Sequence, residues 1–185
     1  MPQGSKKLSI PFVVAFYSFV GAVAYGLGFW LAERNIFLWH DSFETTLQLD
    51  VLLGAGFGIV VVGVSRAIEF FEWARQLAAA MKTLLGELST QAILVIALCS
   101  SLGEEMLFRG LLQPAIGIVW SSLIFGLLHV GPDRRYAPWT LMAIGMGCAF
   151  GGLHYYTGNL LAPILAHFTI NHFNLTAIAK GSSRA

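Results

Sequence analysis

"SSLGEEMLFRGLLQP", residues 100–114, sets Glu104, Glu105 and Arg109 inside an apolar run. An ionisable group at the centre of a bilayer costs about 2.5–3.5 kcal/mol on insertion scales, and three stand together here. The surrounding chain has a membrane composition: 56% of its 185 residues are hydrophobic, only 11% are charged, and the mean hydropathy is +0.70. Soluble domains carry nearer about 25% charged residues. The net charge of +1 argues against nucleic acid as a partner and leaves local clusters to carry the information.

Working outward, a membrane span needs about 20 apolar residues. Residues 11–32, 49–70, 91–113, 115–130, 137–157 and 159–179 supply six such segments, the fourth of them short. Lys6 and Lys7 ahead of the first span, with Ala22-Val23-Ala24 inside it, resemble a signal peptide and its cleavage site. The apolar run continues well past that site, so a retained span is the better reading. Between the second and third spans Trp73, Leu77, Ala80, Leu84 and Leu88 recur at near-helical spacing, with Glu72, Arg75 and Lys82 off that stripe. This predicts an amphipathic helix over 72–90, lying in the interface as a structural linker. The expected fold is an all-α polytopic membrane bundle of about six transmembrane helices plus that interfacial helix. It forms a single integral membrane domain over 1–185, with 1–90 carrying the first two spans and the interfacial helix, and 91–179 the rest.

Positive charge sets the orientation. With the N-terminus inside, Lys6, Lys7, Arg66, Arg75, Lys82, Arg134, Arg135, Lys180 and Arg184 are cytoplasmic; only Arg34 is outside, and Arg109 is within a span. Both termini are therefore expected in the cytoplasm. The outer loop 33–46 carries His40, Asp41 and Glu44 without ligand spacing and reads as a solvated connection. Ala143, Gly147 and Gly151 recur every four residues, as do Gly54 and Gly58, a spacing that lets helices approach closely in lipid. Cys99 and Cys148 have neither CxxC spacing nor a disulfide framework and read as small buried side chains.

On a helix each residue turns about 100°, so Arg109 lies about 40° from Glu105 but about 140° from Glu104. Glu105 is the natural partner of Arg109, and Glu104 is left for something else. A purely structural ion-pair knot accounts for Glu105 and Arg109 but not for Glu104. Other spans carry polar groups at comparable depth: His129 ends the fourth, one turn after Phe125, and His167 and Asn171 share a face of the last. At about 1.5 Å per residue from the outer ends, Glu104 lies about 15 Å deep, His167 about 12 Å, Asn171 about 18 Å and His129 about 22 Å. The four side chains are thus expected to converge on one pocket. His154 and His172 lie near these regions with a weaker claim to a direct role.

Burial favours the protonated form of a carboxyl group, which suits a general base acting on water. A nearby histidine can orient that water, and a second histidine with an asparagine supplies donors to the oxyanion of a tetrahedral intermediate. These parts describe peptide hydrolysis without a covalent intermediate. Ser100, Ser101 and Cys99 lie close by, but none has an evident histidine partner at suitable spacing.

Glu104-Glu105-x-x-x-Arg109, Phe125-x-x-x-His129 and His167-x-x-x-Asn171, in that order, resemble the CPBP family, the CAAX-protease and bacteriocin-processing (Abi) group of intramembrane proteases. The likeness extends to "EEMLFRGLLQ" and "GGLHYYTGNLLAPILAHFTIN" and covers roughly residues 90–175; the first two spans match only in being hydrophobic. It implies an α bundle of eight helices or fewer around a polar chamber, a catalytic core in 91–179, and a glutamate-dependent endopeptidase. Under it Glu104 and His129 activate water, His167 and Asn171 stabilise the oxyanion, and Glu105 and Arg109 support the site. It implies no cofactor, a membrane-anchored protein or peptide as substrate, and the cytoplasmic membrane of a bacterium as location, since the chain looks like a compact bacterial member. Bacterial relatives are associated with bacteriocin maturation, self-immunity and the processing of sorted or membrane-anchored proteins. Two other readings are open. The same histidines and glutamates are zinc-ligand types, although no HExxH is present and the ligands would come from three helices. Alternatively the chain is a non-enzymatic immunity or scaffold protein, or a proton-coupled carrier.

Overall fold

The computed structural model describes residues 9–30, 33, 35–38 and 46–181. The expectations resting on Lys6, Lys7, Arg34, Arg184, His40, Asp41 and Glu44 lie outside the described residues. Each of the six apolar segments is helical: α1 Ile10–Trp30, α2 Leu47–Ile68, α4 Thr90–Glu105 with its continuation, α5 Gln113–Leu127, α6 Ala137–Thr157 and α7 Leu161–Lys180. The amphipathic helix α3, Glu72–Leu85, lies between α2 and α4. The protein is an all-α helical bundle. By length and composition Ile10–Trp30, Leu47–Ile68 and the nearly continuous Thr90–Leu127 are able to cross a membrane, and large apolar side chains such as Phe12, Phe19, Leu52, Ile59 and Val60 point outward from α1 and α2.

Local chemistry sets the boundaries. Thr46 and Ser89 stand at helix N-caps, their hydroxyls accepting from the backbone N–H groups of Leu49 and Ala92, which satisfies donors that a helix start leaves open. Gly158 ends α6 at φ 71°, ψ 5°, the left-handed conformation in which glycine meets no Cβ penalty. Gly86 ends α3 at φ 68°. The interfacial helix therefore stops at Leu85, short of the expected residue 90. Its buried face also differs from the expected stripe. Ala74, Leu77, Ala80 and Met81 face inward, while Trp73 (41% exposed) and Leu84 (50%) do not. The anchor is Tyr136, on a 3₁₀ turn over Arg134–Tyr136, whose hydroxyl donates to the Ala80 carbonyl at 2.9 Å.

The helices pair as α2 with α7, α5 with α6, and α1 with α4, and α4 also lies along α7. The glycine rows fall at these seams. A Cβ on Gly54 would lie 2.4 Å from the Ala162 carbonyl, one on Gly58 would meet Thr169 at 2.7 Å, and one on Gly147 would meet Ser122 at 2.8 Å. Cys148, by contrast, is exposed, and Cys99 is partly buried, so neither is a fully buried apolar side chain. At the end of the bundle holding the α6–α7 turn, the buried Asp50 of α2 accepts from Asn159 Nδ2 at 2.9 Å, and the Leu160 N–H donates to the Phe37 carbonyl.

Candidate active site

Arg109 sits in a π-helical segment, Met106–Leu112, that continues α4. The Gln113 N–H donates to the Phe108 carbonyl, five residues back. Pro114 follows at the start of α5; it has no N–H to give, and its ring would crowd the carbonyl four residues earlier in a regular helix. The widened turn before it accommodates that conflict, and Gly117 at φ 82° kinks α5 one turn later. Such π segments are rare and recur at functional sites.

Glu105 and Arg109 are 0% and 1% exposed and meet at 3.0 Å, the pairing that the helical angle predicted. Buried charge is tolerated where further bonds offset its desolvation; Arg109 and Glu105 Oε1 make such bonds, while Glu105 Oε2 is buried without a hydrogen-bond partner among the protein atoms. Arg109 donates from its other terminal nitrogen to the Gly147 carbonyl at 3.1 Å, and its guanidinium lies 4.6 Å from the Phe125 ring centre and 5.3 Å from that of Phe150. One turn on, Gln113 repeats the bond to α6, donating to the Gly151 carbonyl at 3.1 Å. The Glu105 oxygen that takes Arg109 also accepts from His167 Nδ1 at 2.8 Å.

Glu104 turns to the other side. Its Oε1 accepts from the Tyr17 hydroxyl of α1 at 2.9 Å. Its Oε2 is buried, has no hydrogen-bond partner among the protein atoms, and lies 3.8 Å from both His129 Nε2 and His167 Nε2. His129 is not inside the fourth span. It follows α5, which ends at Leu127, and its Nδ1 donates at 2.7 Å to the Phe125 carbonyl, one of the acceptors that a helix end leaves open. The Phe125 and Trp139 rings flank it at 4.5 and 5.1 Å. Phe150 stacks on His167 at 5.1 Å and 22°. Both histidines therefore spend Nδ1 on a neighbour and present Nε2 to the same carboxylate oxygen.

Of the four expected side chains, Glu104, His129 and His167 come together. Asn171 shares the His167 face, but its amide donates to Ser100 Oγ at 3.0 Å, joining α7 to α4 one turn before Glu104. His154 is buried at the α6–α7 turn, with Nδ1 on the Asn159 carbonyl, and His172 stacks on Phe168. Three contributors were missed by sequence reasoning. Tyr17 had only the signal of a hydroxyl in a largely apolar span, shared with Ser18 and Tyr25; Phe150 and the Gly147 carbonyl had none. Among the described residues no group of three His, Cys, Asp or Glu side chains is placed to share a metal ion. A groove of about 470 Å³, lined by Tyr17, Tyr25, Leu102, Gly103 and Met106 among others, borders the Tyr17–Glu104 contact.

Comparison with known proteins agrees with the motif order. Residues 86–173 match the family model described as type II CAAX prenyl endopeptidase Rce1-like. The Bacillus subtilis (strain 168) protein YpbD, itself described as uncharacterized, is 38% identical over 92 residues, which make up 49% of this chain and 47% of that protein. The chain thus spans about half the length of the curated relative it matches. No solved structure matches it. The apolar helices, together with this likeness over residues 86–173, support an integral membrane protein.

Proposed function

Since the chain belongs, through residues 86–173, to the Rce1-like family of the CPBP group, we propose that it is an intramembrane endopeptidase that cleaves membrane-associated proteins or peptides. Its substrates in this reading carry C-terminal CAAX-like segments or sorting signals, or are bacteriocin-type precursors. One observation carries the reading: the buried, unpartnered Glu104 Oε2 faces two imidazole Nε2 atoms at 3.8 Å each. That separation is too long for a direct hydrogen bond and suits a bridging water.

In this reading Glu104 is the general base and His129 orients the water and shares its proton. A proton passes from water to Glu104 as the oxygen attacks the scissile carbonyl, and it then goes to the leaving amine. His167 and Asn171 serve the oxyanion, which requires the Asn171 amide to leave Ser100. Glu105 and Arg109 hold His167 in register. No cofactor enters the scheme. The excess of Lys and Arg on one side supports cytoplasmic termini in a bacterial inner membrane.

The test is comparative proteomics of membrane fractions from cells carrying wild type or Glu104→Gln. Uncut precursors accumulating with Glu104→Gln identify the substrates. Identical fractions, with full activity of the variant in the cell, would overturn the protease reading in favour of a scaffold or immunity role.

A further inference from the structure

The two oxygens of Glu104 are treated differently, and the difference originates outside the family segment. Oε1 is held at 2.9 Å by Tyr17 Oη, whereas Oε2 is left facing His129 and His167. Tyr17 belongs to α1, well ahead of residues 86–173. A second observation shows that the contact is built. Gly103 immediately precedes Glu104, and a Cβ there would lie 3.0 Å from both Tyr17 Cδ1 and the Tyr17 carbonyl oxygen. A side chain there would press α1 away from α4 by a few tenths of an ångström, so the glycine lets α1 seat at the depth where the hydroxyl reaches the carboxylate. One turn along, Gly21 receives Met106 in the same way, its built Cβ 3.3 Å from the sulfur. Phe16 closes against the Tyr17 ring edge-on at 5.1 Å.

A phenylalanine would fill the same space without bringing a polar group into an apolar helix, where an unsatisfied hydroxyl is unfavourable. The hydroxyl's effect is directional. A glutamate side chain has three rotatable bonds, and a donor fixed on one oxygen dictates where the other points. We propose that Tyr17 is a positioning residue for Glu104, and that α1 thereby completes the active site. The proposal rests on the endopeptidase reading above. Tyr17 need touch neither substrate nor water; it acts by holding the base in one rotamer.

The test compares full-length wild type, Tyr17→Phe and Glu104→Gln in lipid nanodiscs, using a fluorogenic farnesylated CAAX peptide and any precursor found by proteomics. Infrared difference spectra between acid and neutral pH are recorded alongside, the Glu104 carboxyl bands being assigned by their loss in Glu104→Gln. Tyr17→Phe should shift those bands and lower kcat about a hundredfold, the scale of a misplaced catalytic group, with KM and thermal midpoint little changed. An unshifted band overturns the proposal, and so does a loss of activity that merely follows a loss of stability. If Glu104→Gln cleaves as well as wild type, the role of Glu104 as base falls and the proposal with it; if wild type cleaves none of these substrates, the endopeptidase reading falls, while the band shift still decides whether Tyr17 holds Glu104.

Discussion

Glu105 and His167 are joined by a 2.8 Å hydrogen bond between residues 62 positions apart. A carboxylate already paired with Arg109 accepts and does not donate, so a proton lies on His167 Nδ1 and Nε2 is turned toward Glu104. Neighbouring glutamates thus have separate work: Glu105 aims an imidazole, and Glu104 meets its far side. Supporting carboxylates of this kind fix both tautomer and ring orientation.

Replacing Glu104 with glutamine keeps the shape and removes the base. Cleavage should fall by about 10²–10⁴-fold, the usual contribution of a general base, while the purified variant elutes and melts as wild type does. Equal turnover of the two proteins in a reconstituted assay would remove Glu104 from that role.

Arg109→Ala strands Glu105 as an uncompensated buried charge and should cost about 3–5 kcal/mol, read as a lower unfolding midpoint in detergent. Glu105→Gln combined with Arg109→Met should cost less than the two single changes summed, with a coupling of about 0.5–3 kcal/mol. Strict additivity would mean that the two side chains do not act as a pair.

The α2–α7 seam gives a paired prediction on one helix. Gly54→Ala drives a methyl toward the Ala162 carbonyl at 2.4 Å and should destabilise by about 1–3 kcal/mol. A Cβ on Gly56 meets nothing within 4 Å, so Gly56→Ala should be neutral or stabilising by up to about 1 kcal/mol. Equal midpoints for the two variants would contradict the seam.

Chelation separates the proposed mechanism from a zinc enzyme. After exhaustive dialysis against a strong chelator, cleavage should persist and elemental analysis should find no stoichiometric metal. Loss of activity restored by zinc would transfer Glu104, His129 and His167 from water activation to metal ligation.

The sequence disclosed what local rules govern. Apolar length located six helices to within a few residues, the helical angle paired Glu105 with Arg109, and four-residue glycine spacing marked the α2–α7 and α5–α6 seams. It could not disclose what depends on two distant segments meeting. The α3 stripe was misjudged because Trp73 and Leu84 are as apolar as Leu77, and only the position of Tyr136 decides which face is covered. Asn171 shares a helix face with His167, yet Ser100 on α4 decides where its amide goes. The π segment was invisible because its cause is Pro114, several residues downstream, and Tyr17 because nothing in α1 indicates that Gly103 will receive it.

The bonds from Arg109 to the Gly147 carbonyl and from Gln113 to the Gly151 carbonyl are two rungs, each spanning 38 residues. Because both helices repeat at four residues, the two rungs break together and reform together. Sliding α6 along the segment after α4 is therefore not a continuous adjustment. The next register is four residues away, about 6 Å, and it would set Arg109 against the carbonyl that Gln113 now holds. The pair behaves as a ratchet with widely spaced teeth, and thermal motion too small to skip a tooth leaves the Arg109 guanidinium beside the Phe150 ring.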